Sequence, residues 1–128
     1  MTYLMSLSEK DVLGPKKYVN SKGNNECVEF VRQVTNAPHT TTWKRGSCVK
    51  DADIASITRG TAIATFDDEG RYPTDGQGKH AAIFLGKSVA GIQVLDQWNS
   101  QGKVLPRTIR FNHVGKRSDN GDAFYVIE

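Results

Sequence analysis

The sequence contains little cysteine, no long apolar run and no stripe of like charge, and each absence excludes a class of protein. Only two of its 128 residues are cysteines, Cys27 and Cys48, so one disulfide at most is expected. Neither belongs to a C-x-x-C pair, and we expect no zinc site built from them and the three histidines. No segment approaches the roughly 20 apolar residues that a membrane-spanning helix requires, so no membrane partner is expected.

The first ten residues, MTYLMSLSEK, contain neither a basic leader nor a continuous apolar stretch and do not predict a secretory signal. We therefore expect synthesis in the cytoplasm and export by a route that does not read such a leader. The net charge is +3, and the lysines and arginines are scattered rather than gathered with aromatic residues on one element. This distribution predicts no nucleic-acid partner.

The remaining composition, 38% hydrophobic and 24% charged, is typical of a globular protein, and the length predicts a single domain over residues 1–128. The clearest helix is predicted over residues 24–35, with Asn24 or Asn25 as its cap and Pro38 beyond its end. Its apolar residues recur at helical spacing and form one stripe: Cys27, Phe30, Val31 and Val34.

After the helix the hydrophobic period changes to that of strands. Residues 1–23 read as a polar lead-in, and residues 39–58 are ambiguous, with a short helix over 51–57 as one option. Five strands separated by turn segments are then predicted over residues 61–66, 81–85, 92–98, 108–111 and 123–127. A helix followed by an antiparallel sheet predicts an α+β fold.

Cys27 and His80 form the candidate catalytic pair. Cys27 is expected in the first helical turn, where the helix dipole lowers the pKa of a thiol and favours the reactive thiolate. His80 opens the apolar run that begins at Ala81, so its imidazole is rigidly aimed, as a general base requires. His39 and His113 lie in loop-like contexts and are interpreted as structural or surface residues. A merely packed Cys27 on the apolar stripe remains the alternative.

A third group should orient the imidazole, and Asp96 is our candidate. It lies in the strand expected to pair with the strand of His80, on a face that is otherwise apolar, where a carboxylate needs a partner. Gln97 is the rival, because an error of one residue in strand phase exchanges the two. The loop over residues 67–79 is predicted to form one wall of a substrate groove with Tyr72, Asp75 and Gln77, which Trp43 and Trp98 could also flank.

Four segments together resemble a known enzyme pattern: NNECVEFVR at 24–32, GTAIATF at 60–66, GKHAAIFLG at 78–86 and VLDQW at 94–98. They are similar to the cysteine, histidine-dependent amidohydrolases, and within these to the second group of type VI secretion amidase effectors. The resemblance implies a papain-like fold, with Cys27 as nucleophile, His80 as base, Asp96 as third residue and no metal or organic cofactor. Cys48 has no counterpart in the pattern.

The resemblance also implies a function. Such effectors cut amide bonds in peptidoglycan stem peptides, and the likeness favours the crosslink between diaminopimelate and D-alanine. They pass through a secretion apparatus into rival cells, act in the periplasm and are inhibited by a cognate immunity protein; we expect a monomer. Two alternatives stay open: a toxin that cleaves or deamidates a host protein with the same dyad, and a non-catalytic wall-binding domain.

Overall fold

A computed structural model describes residues 2–15 and 18–128 of the chain; Met1 and the Lys16–Lys17 pair of the predicted lead-in lie outside this range. The described residues contain two α-helices, α1 (Glu9–Val12) and α2 (Cys27–Thr35). The strands are β1 (Gly14–Pro15), β2 (Arg45–Cys48), β3 (Ala62–Thr65), β4 (Ala81–Lys87), β5 (Gly91–Asp96), β6 (Lys103–Arg110) and β7 (Phe124–Ile127). No helix in the described ranges has the length and apolar character needed to cross a membrane.

The seven strands form one antiparallel sheet in the order β1-β6-β5-β4-β3-β7-β2. Strands β3, β4, β5 and β6 pair in the order in which they follow one another along the chain. Strand β7 returns to pair with the free edge of β3, and β2 pairs with the other edge of β7. Helix α2 packs against β4 and β5. The predicted α+β class, with an N-terminal helix on an antiparallel sheet, is confirmed.

Helix α2 buries its apolar stripe in the core on one side of the sheet, where Phe30 and Val31 are fully buried and Val34 is nearly so. Its start differs from the prediction. The helix begins at Cys27, and the capping position is held by Glu26, whose side chain makes no capping hydrogen bond. The helix ends before Pro38, because Asn36 adopts a left-handed conformation (φ 60°) and donates its backbone N–H to the carbonyl of Arg32.

Three regions of the chain differ from the sequence-based expectations. The lead-in contains α1 and β1, and the ambiguous segment contains β2 together with short 3-10 helices at Thr40–Thr42 and Ile54–Ser56. Strand β6 begins five residues before the predicted start at 108 and includes Pro106. A proline is tolerated there because β1 pairs with β6 at Lys103 and Val104, which leaves the outer edge unpaired at Pro106.

The antiparallel pairing of β4 and β5 positions the candidate site. Ile83 of β4 lies opposite Leu95 of β5, so the start of β4 and the end of β5 meet at the same end of the sheet. His80 directly precedes β4, and Asp96 is the last residue of β5. The N-terminus of α2, with Cys27 as its first residue, packs at this end of the sheet.

Candidate active site

Cys27 is half-buried at the first position of α2. Burial raises the pKa of its thiol, but the hydrogen bond and positive charge of His80 oppose this effect. A backbone hydrogen bond from Ala81 and a side-chain hydrogen bond from Tyr72 lower the pKa of the thiol further. The net result of these effects is a lowered pKa for Cys27. The sulfur is therefore biased toward the thiolate, the form in which cysteine is nucleophilic.

His80 is 5% exposed and links Cys27 to Asp96. Its Nε2 lies 2.7 Å from Oδ2 of Asp96, which leaves Nδ1 as the ring nitrogen available to the thiol. Burial lowers the pKa of the imidazole, but the hydrogen bond to Asp96 and the interactions with Cys27 outweigh it and raise the pKa to about 9. The lowered pKa of the Cys27 thiol and the raised pKa of the His80 imidazole together favour a thiolate–imidazolium pair.

Asp96 is fully buried and shared between two cationic partners. Its Oδ2 accepts hydrogen bonds from His80 Nε2 and from Arg107 Nε, each at 2.7 Å. Its Oδ1 is buried and has no hydrogen-bond partner among residues 2–15 and 18–128. A buried carboxylate needs compensating charge, and Arg107 supplies it from a side chain that is 28% exposed and bridges Asp96 to the surface.

Arg107 is the member of this cluster that the sequence did not reveal. It lies on β6 opposite Val94, so Asp96 is its diagonal neighbour on the same face of the sheet. Its guanidinium carbon also stacks over the Trp98 ring at 4.9 Å from the centroid. In the sequence Arg107 is one of several scattered basic residues. Its position on the same face of the sheet as Asp96 would have predicted the contact, but that position follows only from the register between β5 and β6.

Gln97 points away from the imidazole, which settles the strand phase. Its side chain is fully buried, and Nε2 donates to the carbonyl oxygens of Tyr18 (2.7 Å) and Glu26 (2.9 Å). The amide therefore tethers the segment before α2 to the end of β5. Asp96, and not Gln97, contacts His80.

Cys27 and His80 open onto a cleft of about 410 Å³. Of the groove residues predicted in the loop over 67–79, Tyr72 lines this cleft, whereas Asp75 lies outside it in an ion pair with Arg117 and Gln77 is exposed. The remaining lining residues come from α2 and three loops: Glu26, Val28, Glu29, Arg32, His39, Thr40, Lys79, Trp98 and Asn99.

The two tryptophans have different positions. Trp98 lines the cleft, and with His80 it separates the cleft from a smaller one of about 280 Å³ that Arg107 borders. Trp43 is 3% exposed and belongs to the core, where it packs edge-on against Tyr72 with ring centroids 5.1 Å apart. Trp43 thus supports the cleft wall from behind.

The other predicted structural residues also have defined positions. His39 borders the cleft, but its Nδ1 caps the 3-10 helix at Thr40–Thr42 by accepting from the backbone N–H of Thr41. His113 is exposed. Within the described ranges, no group of three or more histidine, cysteine, aspartate or glutamate side chains is arranged to hold a metal ion.

Comparison with known proteins identifies the family. The sequence profile described as "Domesticated amidase effector 2" matches residues 3–127. The chain belongs to this amidase effector family. Membership confirms the resemblance to the second group of type VI secretion amidase effectors.

Two relatives and one solved structure support this assignment. The "Type VI secretion amidase effector 2 protein" of Salmonella typhi is 35% identical, over 89% of this chain and 99% of the relative. The "Domesticated amidase effector 2" of Ixodes scapularis is 41% identical, over 88% of this chain and 77% of the relative. A solved "Type 6 secretion amidase effector 2" matches with a TM-score of 0.79 at 31% identity, covering 97% of this chain and 93% of that one. The papain-like fold is thereby confirmed.

Proposed function

We propose that this member of the amidase effector 2 family is a cysteine endopeptidase that cuts amide bonds in peptidoglycan stem peptides. The observation that carries the proposal is the continuous chain of contacts from Cys27 through His80 to Asp96 at the wall of an open cleft. A structural cysteine is inert and has no need of a base and an orienting carboxylate. The amidase families that the chain resembles supply the substrate class.

In the proposed mechanism the Cys27 thiolate attacks the carbonyl carbon of the scissile amide. The electron pair of the C=O bond moves onto oxygen, and the backbone N–H of Cys27 at the start of α2 stabilises the oxyanion. As the intermediate collapses, the imidazolium of His80 protonates the leaving amine and an acyl-enzyme remains. Neutral His80 then takes a proton from water, whose oxygen attacks the thioester and releases the acid product and the thiol.

Asp96 and Arg107 act on His80 rather than on the substrate. Asp96 holds the ring through Nε2 and stabilises the imidazolium, so that Nδ1 faces the thiol. Arg107 offsets the charge of the buried carboxylate and fixes its Oδ2. No proton transfer to Asp96 is required.

Digestion of purified peptidoglycan, followed by mass analysis of the fragments, tests the substrate and the bond. Cleavage of the crosslink between diaminopimelate and D-alanine converts crosslinked dimers into monomers, whereas cleavage between D-glutamate and diaminopimelate shortens the stems. We expect the first pattern from the parent and no cleavage from Cys27→Ala. Intact peptidoglycan after treatment with a protein whose Cys27 reacts rapidly with iodoacetamide would favour a protein target instead.

We also propose that the protein enters rival cells through a secretion apparatus and acts in their periplasm. Expressed in the bacterial cytoplasm it should be tolerated, because its substrate lies across the membrane. Fused to a periplasmic leader it should lyse the cells, and coexpression of a cognate immunity protein that blocks the cleft should rescue them. Equal toxicity in both compartments would contradict a wall substrate. The relative from Ixodes scapularis makes this test necessary, since family membership alone does not specify a delivery route.

We expect Cys48→Ser to retain the parent's rate of peptidoglycan cleavage, with or without dithiothreitol. Both cysteines are free thiols, and Cys48 ends the outermost strand β2, which β7 and β3 separate from β4. Such a placement disfavours a bridge to Cys27, which would remove the nucleophile in an oxidising compartment. The rate of peptidoglycan cleavage is measured at increasing concentrations of dithiothreitol. The intact mass of the protein under non-reducing conditions shows whether a disulfide has formed. A parent that needs dithiothreitol, when Cys48→Ser does not, would reveal a redox-gated enzyme.

A further inference from the structure

Tyr72 is the cleft residue whose polar group lies next to the proposed nucleophile. Its Oη is 3.8 Å from Sγ of Cys27, within hydrogen-bonding range for sulfur. The ring is held from behind by Trp43, at 5.1 Å between centroids and an interplanar angle of 73°. Trp43 is itself fixed, since its indole N–H donates to the carbonyl of Pro38 at 2.8 Å. The hydroxyl is therefore a positioned group and not one that swings freely in a loop.

The phenol can act only as a donor to an anion in this environment. Burial raises the pKa of Tyr72, and the negative charge of the neighbouring Cys27 thiolate raises it further. The hydroxyl thus keeps its proton throughout the pH range in which the thiolate exists. A fixed, protonated donor in a partly buried cleft is the kind of group that stabilises charge developing in a transition state.

The distance between the two atoms fits this role. An oxyanion on a carbon bonded to Sγ lies two bonds from the sulfur, and therefore well inside the 3.8 Å that separates Sγ from Oη. It can occupy a position about 2.7–3.1 Å from Oη, the range in which an oxyanion donor acts. The backbone N–H of Cys27 lies at the helix start, where the first amides of a helix lack partners within the helix and are available to a ligand.

We propose that the Tyr72 hydroxyl is the second oxyanion donor of this enzyme, acting together with the backbone N–H of Cys27. The assignment rests on the proposed cysteine mechanism and identifies a catalytic residue for it. When Sγ bonds to the carbonyl carbon, the C=O electron pair moves onto oxygen and Tyr72 donates a hydrogen bond to it. No proton is transferred. The bond weakens again as the carbonyl re-forms and the leaving group departs.

The alternative role for Tyr72 is stabilisation of the resting thiolate, and two small electrophiles separate the roles. Acylation of Cys27 by p-nitrophenyl acetate passes through a tetrahedral oxyanion and expels p-nitrophenolate, whose release is measured. Alkylation by iodoacetamide consumes the same thiolate and displaces iodide from a saturated carbon, where no oxyanion forms. Both reactions are independent of peptidoglycan. A Cys48→Ser background leaves Cys27 as the only thiol in the chain, and the rate measured with Cys27→Ala in that background is subtracted for the amines and imidazoles that also react.

The experiment compares Tyr72→Phe with its parent in both reactions. We expect acylation to slow at least about tenfold, toward the 10²–10³-fold that loss of one oxyanion donor costs. Alkylation should change less than about threefold, because it reports only the thiolate fraction and its nucleophilicity. Tyr125→Phe is the matched control: it removes a phenol hydroxyl from β7, outside the cleft, and should leave both rates unchanged.

Each outcome decides the assignment. Unchanged acylation in Tyr72→Phe overturns it, and so does an equal loss in both reactions, which would assign Tyr72 to the thiolate. A selective loss of acylation supports the oxyanion role of Tyr72 even if the parent leaves peptidoglycan intact. In that case the proposed substrate is wrong, but the assignment of Tyr72 as oxyanion donor is retained. Unfolding of Tyr72→Phe would be seen by circular dichroism, in which case Tyr72→Leu, which also lacks a donor and is judged by the same two rates, replaces it.

Discussion

We expect Cys27→Ala to abolish peptidoglycan cleavage while the protein remains folded. A covalent route has no substitute nucleophile, so we expect a loss of at least about 10⁴-fold in rate. The change removes one sulfur atom from a half-buried position at the helix start, and the free energy of unfolding should change by no more than about 1–2 kcal/mol. Muropeptide release measures the first quantity and denaturant unfolding the second.

Cys48→Ala is the control for Cys27→Ala, since it removes the same atom from a half-buried thiol on β2. It should cleave at the parent's rate. Fragments released by Cys27→Ala at a substantial fraction of that rate would rule out the cysteine mechanism, and with it the role that we assign to Tyr72.

The second large effect concerns His80 and Asp96. His80→Ala should lose turnover as completely as Cys27→Ala, because no other group can hold the thiol proton and deliver it to the leaving amine. Asp96→Asn should retain a slow residual rate, reduced on the order of 10²–10⁴-fold, since Asp96 acts only through the imidazole. An Asp96→Asn enzyme as fast as the parent would contradict the positioning role of the carboxylate.

The pH dependence separates this positioning role from a purely structural one. In the parent the pKa of the Cys27 thiol is lowered and that of His80 is raised to about 9, so the thiolate–imidazolium pair exists between the two values. Activity should rise with pH as the thiolate forms and fall above about 9 as the imidazole loses the proton that the leaving amine needs. The profile of kcat/KM against pH is therefore bell-shaped.

Asp96→Asn should move the alkaline limb of this profile to lower pH. Burial lowers the pKa of the His80 imidazole, and the hydrogen bond to Asp96 is the leading interaction that raises it, so removal of the carboxylate charge lets the pKa fall. If the rate falls but the alkaline limb of the pH profile stays at the same pH, Asp96 contributes only to packing. Nuclear magnetic resonance titration of the His80 ring gives an independent measure of the same shift.

Local pattern was sufficient for the parts of the site that depend on one element each. The apolar spacing of α2 placed Cys27 in the first turn, although the cap is Glu26 and not Asn24 or Asn25. Alternation along β5 placed the side chain of Asp96 on the face of His80, and the turn between β4 and β5 brought the two strand ends together. These inferences held because side-chain direction in a strand has a period of two residues, whatever the rest of the fold does.

Residue pattern alone thus predicted the α+β class, the helix that carries Cys27 and the proximity of Cys27, His80 and Asp96, with Gln97 left as the rival of Asp96. Residue pattern did not predict the place of β7 between β3 and β2, the contact of Arg107 with Asp96 or the approach of Tyr72 to Cys27. Each of these joins segments far apart along the chain or strands whose register no turn signal specified. Such contacts depend on the burial and charge compensation of the whole chain, and a local residue pattern does not predict them.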